Sequence, residues 1–249
     1  MAGRLIIISG PSCVGKTPLR KAIERHYPDL GESMQPVVLY NDRGPRPGER
    51  NDEDYHFRNR EQIEKLRDQE HVVVMEVRGD LQALDLDELS NQLERGDVLY
   101  EGNPFVARVL LTDERLEQVD RLSVFVSPLS LKELRFLLAQ EQADVPALVA
   151  DVMRRKLLRR TKSQKRILSL PDLEDIESRC TSAYDELQFA HLFDHVIANH
   201  DGEDSENWEA YYYPLGDARR TMETTIALLR DGQADGTEHW PEGLFDEAG

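Results

Sequence analysis

The sequence predicts a three-layer α/β fold built around a mainly parallel sheet. Three observations lead there. Short apolar runs alternate along the chain with segments of helical periodicity. The first run, from Leu5 to Ile8, leads at once into a glycine-bearing loop and then a helical pattern, the opening of a strand–loop–helix unit. The chain has 249 residues, 39% hydrophobic and 32% charged, which suits one globular domain with room for an insertion.

The elements follow in order. Residues 4–9 form a buried strand and 17–27 a helix stopped by Pro28. Residues 35–41, QPVVLYN, form a second strand. The stretch DRGPRPGERNDEDYHF is too rich in breakers to be helical. Helical periodicity returns over 59–70, a strand over 71–77, and a helix over 86–95 with Gly96 as its expected C-cap. Residues 97–101 and 122–126 are strands; 130–138 and 145–160 are helices. The pattern breaks near Pro171, then 173–192 is helical, 194–198 a strand and 215–229 a closing helix. From Asp231 the chain carries acids without lysine or arginine and reads as a solvated, partly disordered tail over 231–249. There are no repeats.

Composition excludes several classes. The formal net charge of −17 argues against a nucleic acid polymer or an anionic membrane as partner. No apolar run reaches the roughly 18–20 residues of a spanning helix. The start of the chain reads as a strand rather than a signal peptide, so a cytoplasmic protein is expected. Two distant cysteines, Cys13 and Cys180, make neither a disulfide framework nor a zinc site. Cys13 reads as a small loop residue rather than a reactive thiol.

GPSCVGKT, Gly10 to Thr17, fits GxxxxGK(S/T), a phosphate-cradling P-loop, in the strand-to-helix setting that the motif requires. Gly10 and Gly15 permit the tight turn, and Pro11, Ser12, Cys13 and Val14 complete the cradle. Lys16 brings a charge to β- and γ-phosphates, and Thr17 a hydroxyl to Mg²⁺. Pro18 is compatible with a helix's first turn but removes one N–H donor.

Downstream, YNDRGPRPGERNDEDYHF places Arg43, Arg46, Gly48, Glu49, Asp54, Tyr55 and Phe57 in a set order. Two arginines and a tyrosine can surround a monophosphate, and Glu49 can accept from the N–H donors of a guanine edge. Together with ISGPSCVGKT, this stretch resembles the guanylate kinase family, whose nucleoside-monophosphate segment reads TTRxPRxGExxGxDYxF. A third stretch, residues 177–202, is similar to that family's RLxxAxxEL…FDyvivNdd segment through Arg179, Ala183, Glu186, Leu187, Phe193, Asp194 and Asn199.

The resemblance implies a P-loop domain over 1–230, with a monophosphate-binding subdomain near 36–95 and a helical lid with an insertion near 139–180. It implies that Arg179 reaches the transferring phosphates and that Asn199 lies near adenine. The chain departs from the family at Leu39, where the family has serine. Arg78 and Gly79 follow the acid-bearing strand in place of the YYGxS turn. The DxD strand reads VLYEGNPF. Glu76 stands where a guanine-contacting acid is expected. Glu101 is the remaining acid of its strand, with two roles open: positioning Mg²⁺ waters or meeting a base amine. The basic run Arg154, Arg155, Lys156, Arg159, Arg160, Lys162, Lys165 and Arg166 leaves Arg160 and Arg166 both open as the lid arginine.

The activity implied is ATP-dependent phosphorylation of a nucleoside monophosphate, first of all GMP, with Mg²⁺. Lys16, Arg179 and a lid arginine would neutralise charge on the transferred group. Arg43, Arg46, Glu49, Tyr55, Glu76 and Glu101 would form the acceptor side. Two alternatives remain: a non-catalytic guanylate-kinase-like binding module, or a kinase for another phosphorylated small molecule.

Overall fold

The computed structural model describes residues 3–45, 48–165 and 167–246. The chain forms, in order, β1 (Leu5–Ser9), α1 (Lys16–His26), α2 (Pro28–Gly31), β2 (Met34–Pro36), β3 (Leu39–Asn41), β4 (Tyr55–Phe57), α3 (Arg60–Glu64), β5 (Val72–Val77) and β6 (Asp80–Asp85). There follow α4 (Leu86–Leu93), β7 (Asp97–Gly102), α5 (Pro104–Thr112), β8 (Arg121–Ser127), α6 (Leu131–Leu138), α7 (Val145–Gln164), α8 (Leu170–Thr181), α9 (Ala183–Leu187), β9 (His195–Ala198) and α10 (Gly216–Asp231).

Two compact units divide these elements: Met1–Ile6 with Ser33–Tyr100, and Ile7–Glu32 with Glu101–Gly249. The first contains the 36–95 segment. There β2 pairs parallel with β7, and a separate four-stranded sheet has the order β4-β3-β6-β5. Its β5 and β6 form an antiparallel hairpin, and Ile63, Val72, Leu81 and Ala83 pack as its core. In the second unit β8 pairs parallel with β9. Both of these pairs, β2–β7 and β8–β9, are parallel, as expected. The expected mainly parallel sheet is therefore present.

Several boundaries differ from expectation. The single strand expected over 35–41 is two strands in different sheets, β2 ending at Pro36 beside β7 and β3 starting at Leu39 beside β4 and β6. The breaker-rich stretch yields one short strand, β4, parallel to β3. The sequence reading has no strand at 80–85, yet β6 is there. Its hairpin turn is Arg78 and Gly79, both at positive φ (53° and 90°), the conformation of a two-residue hairpin loop. Also unforeseen was α5, although Asn103 caps Val106 N–H at 3.0 Å and Pro104 opens the helix, a standard start signal. Pro171 lies inside the first turn of α8, which Ser169 and Asp172 close as a capping box, so the proline starts that helix. The 86–95 helix ends at Leu93 with Glu94 as C-cap rather than Gly96.

The acidic C-terminal segment is a correction. Trp240 and Leu244 are each only 1% exposed. The Trp240 ring lies 6.5 Å from Phe125 of β8, and Glu238 exchanges two backbone hydrogen bonds of 2.8 Å with Val196 of β9. The Glu238 carboxylate also accepts from Leu131 N–H at the start of α6 (2.8 Å). Charge alone suggested a solvated tail; burial of Trp240 and Leu244, with Phe245 packed on the Trp240 ring, overrides it. Both cysteines are free and buried. Among the described residues no helix is long and apolar enough to cross a membrane.

Candidate active site

The GPSCVGKT loop joins the carboxyl end of β1 to α1. Its glycines are required by what surrounds them. A Cβ on Gly10 would lie 2.1 Å from the Val126 carbonyl, and one on Gly15 (φ 100°) 2.7 Å from Asn199 Nδ2. Lys16 is 8% exposed, and its ammonium donates to the carbonyls of Gly10 (2.8 Å) and Pro11 (2.7 Å). The loop thus folds around its own cation. Its backbone also takes a left-handed turn at Cys13 (φ 66°), and alternation of this kind points successive N–H groups into one concavity. Pro18 sits within the first turn of α1, where no intrahelical acceptor is lost.

Thr17 Oγ1 donates to Glu101 Oε1 at 2.7 Å, and Arg20 Nε donates to the other carboxylate oxygen at 2.8 Å. Of the two roles open to Glu101, this position beside Thr17 fits the metal one. A hydroxyl and a carboxylate, both hard oxygen donors held together at a phosphate loop, suit Mg²⁺. Arg20 has no part in the sequence motifs; it is fixed to this pair by helix geometry alone.

Asn199 follows β9 and is fully buried. Its Nδ2 donates to the Val14 and Asp201 carbonyls, both at 2.7 Å. The carboxamide therefore braces the loop, where family resemblance places it near adenine. The Trp208 indole N–H donates to the Asp201 and Gly202 carbonyls at 3.0 Å, and its ring packs on Gly15. A cavity of about 470 Å³ opens beside Thr17 and Pro18, lined also by Lys21, Arg160, Glu203 and Trp208.

Much of the basic run on and just after α7 is paired with acids. Arg154 pairs with Glu177 (2.7 Å), Arg155 with Asp151 (3.1 Å), Arg160 with Glu203 and Lys165 with Asp172 (2.5 Å). Arg179 is buried on α8 beside Asp175. Arg166 lies outside the described residues.

In the other unit, Arg43 and Glu49 are joined by a bidentate pair, Nη1–Oε2 at 2.6 Å and Nη2–Oε1 at 2.7 Å. The guanidinium lies 5.0 Å from the Tyr55 ring centroid and 5.5 Å from that of Phe57. Arg43, Glu49 and Tyr55 are thus brought together. Glu49, expected at a guanine edge, is held against the arginine expected at the phosphate. Burial works against the Arg43 charge, but the Glu49 hydrogen bonds outweigh it and raise the pKa. Glu76 is exposed on β5, in register with Leu81. Arg46 lies outside the described residues. Leu39, in place of a family serine, is buried. Asn41, missed from sequence, is fully buried; its Oδ1 accepts from Arg43 N–H at 3.1 Å.

Known proteins resemble this chain in sequence and fold. The family profile described as guanylate kinase matches residues 2–91. A guanylate kinase of Thiobacillus denitrificans is 30% identical over 206 residues, covering 80% of this chain and 79% of that protein. The chain belongs to the guanylate kinase family. A guanylate kinase of Aromatoleum aromaticum is 36% identical over 160 residues, covering 64% of this chain and 72% of its own. One of Trichormus variabilis is 33% identical over 135 residues, which span 53% of this chain and 64% of that guanylate kinase. The crystal structure of guanylate kinase from Anaplasma phagocytophilum superposes with a TM-score of 0.53 at 16% identity, covering 95% of this chain and 90% of that one, a likeness of fold.

Proposed function

We propose that this chain transfers the γ-phosphoryl group of ATP to a nucleoside monophosphate, with GMP as acceptor. The observation that carries the reading is the phosphate loop itself: Lys16 is buried among the loop's carbonyls, and Thr17 is paired at 2.7 Å with Glu101. A scaffold relative without catalysis has no need of that pair. Membership of the guanylate kinase family supports the acceptor.

Lys16 exchanges its carbonyl partners for phosphate oxygens and holds the β- and γ-phosphates by charge. Thr17 and Glu101 would hold Mg²⁺, which when bound neutralises phosphate charge and orients the phosphates. Arg43 holds the acceptor's phosphate, with Glu49 fixing the guanidinium fork and Tyr55 backing it. Arg46, Arg179 and Glu76 keep the roles that resemblance implies, and the lid arginine is Arg160 or Arg166. An acceptor phosphate oxygen forms the new P–O bond to the γ-phosphorus as the bond to ADP breaks. No covalent enzyme intermediate is needed, since positioning and electrostatics carry such transfers.

A coupled assay of ADP release over a panel of nucleoside monophosphates tests the reading. GMP is expected to accelerate ADP formation, and Lys16→Ala to lower kcat by about 10²–10³-fold. If no monophosphate accelerates ADP release, the proposal fails.

A further inference from the structure

The segment between β9 and α10 braces the phosphate loop at three successive residues. Glu203 N–H donates to the Cys13 carbonyl (3.3 Å), Asn199 Nδ2 to that of Val14 (2.7 Å), and Trp208 packs on Gly15. Gly202 comes so close that a Cβ there would lie 2.4 Å from the Cys13 carbonyl. The backbone at 202–203 is therefore locked to the loop.

The side chain of Glu203 does something else. It accepts from Nη1 of Arg160, which projects from α7 and lines the cavity beside Thr17. Both side chains are mostly buried, 19% exposed for Arg160 and 11% for Glu203. The pair spends only Nη1. Arg160 Nε is buried and has no acceptor among the described residues. Nε and Nη2 form the edge with which a guanidinium takes two phosphate oxygens in parallel. Arg160 lines the cavity beside Thr17, and a buried donor left unmade is costly, so its guanidinium has hydrogen-bonding capacity to give an anion that enters there.

We infer that Glu203 is a positioning residue of the donor site, fixing Arg160 through Nη1 in register with the loop and leaving the Nε–Nη2 edge for the donor's phosphates. One residue thus ties the loop, through its backbone, to the arginine, through its carboxylate. The identity of the ligand rests on the kinase reading; the part played by Glu203 rests on geometry. Glu203 cannot add attraction for phosphate, since its own charge repels one. Its contribution is orientation, and it removes the cost of holding a guanidinium mostly out of water without a counter-charge.

The test is steady-state kinetics of Glu203→Ala, Glu203→Gln, Arg160→Ala and the double variant. With Arg160 still charged but unoriented, Glu203→Ala is expected to lower kcat about 10–100-fold, since small displacements near reacting groups cost that much. KM for ATP should stay within about threefold, the mark of an interaction realised in the transition state. Glu203→Gln, which keeps an acceptor for Nη1, should recover most of the rate. The double variant should be no slower than Arg160→Ala alone, because the two residues act as one unit.

An unchanged or increased kcat in Glu203→Ala, or losses that add in the double variant, would overturn the inference. If the wild type phosphorylates no monophosphate, the kinase reading fails on its own. Calorimetry with ATP·Mg²⁺ then decides about Glu203. The inference expects Glu203→Ala to change the binding enthalpy in the wild-type background and not in Arg160→Ala. An equal change in both, or none, overturns it. Glu203→Gln serves in either assay should the alanine variant not fold.

Discussion

Cys13 lies in the middle of the phosphate loop, at a φ of 66° that few side chains adopt. Burial, followed by the nearby Glu203 carboxylate, pushes its thiol up to about 12 from 9.0. It therefore stays protonated and inert at ordinary pH, as its reading as a loop-filling residue expects. Alkylation with iodoacetamide at pH 8, read by mass spectrometry, should leave Cys13 unmodified in the folded protein and label it after denaturation. The folded chain keeps this proton while the unfolded chain gives it up above 9.0, so stability is lost as pH climbs from 9 towards 12. Gly15→Ala makes a complementary prediction. A Cβ there meets Asn199, Asp201 and Trp208 at 2.7–2.9 Å, at a φ of 100°. The variant should lose about 1–3 kcal/mol in urea unfolding, the cost of a strained backbone, and bind ATP poorly. The loop was legible because its chemistry is local: eight residues between a strand and a helix. Glu203 and Arg20 were not, because neither belongs to a motif. Each gains meaning from a residue 43 or 81 positions away in the chain.

His200 shows what an element junction adds. It follows β9, and its ring is held on both sides, Nδ1 by Asp217 in the first turn of α10 (2.5 Å) and Nε2 by Glu133 in the first turn of α6 (3.0 Å). Ser130 donates to the same Glu133 oxygen, Arg220 pairs with Asp217, and Lys156 of α7 donates to the His200 carbonyl. Burial opposes the charged ring, but the two carboxylates outweigh it and hold the His200 pKa above its usual 6.5. The stabilisation is thus fully present below pH 6.5 and is lost as pH rises through the raised value. The imidazole signal of His200 in an NMR titration should have its midpoint above 6.5. His200→Gln should remove that part of the pH dependence of the thermal midpoint. Strand and helix types were readable from periodicity and caps. Where each element ended, and that β6 existed, depended on partners: DLQALD has little alternation of its own, and six register pairs with β5 make it a strand.

Across the chain, the net charge of −17 coexists with a fully local basic run. In the folded protein much of that run is paired, with Asp151, Asp172, Glu177, Glu203 and the His200 carbonyl. The C-terminal segment shows the same dependence on tertiary structure. Trp240→Ala should destabilise the protein by about 3–5 kcal/mol in chemical denaturation, as for other buried tryptophans. A solvated tail would lose nothing. The sequence by itself determined the α/β class and the position of the GPSCVGKT loop between a strand and a helix, since these are written in spacings of a few residues. Tertiary structure alone decided that Glu101 stands with Thr17, that Glu49 grips Arg43, that Glu203 fixes Arg160 and that Trp240 is buried. A carboxylate's partner and a tryptophan's burial are set by contacts between segments far apart in the chain, and no local pattern encodes them.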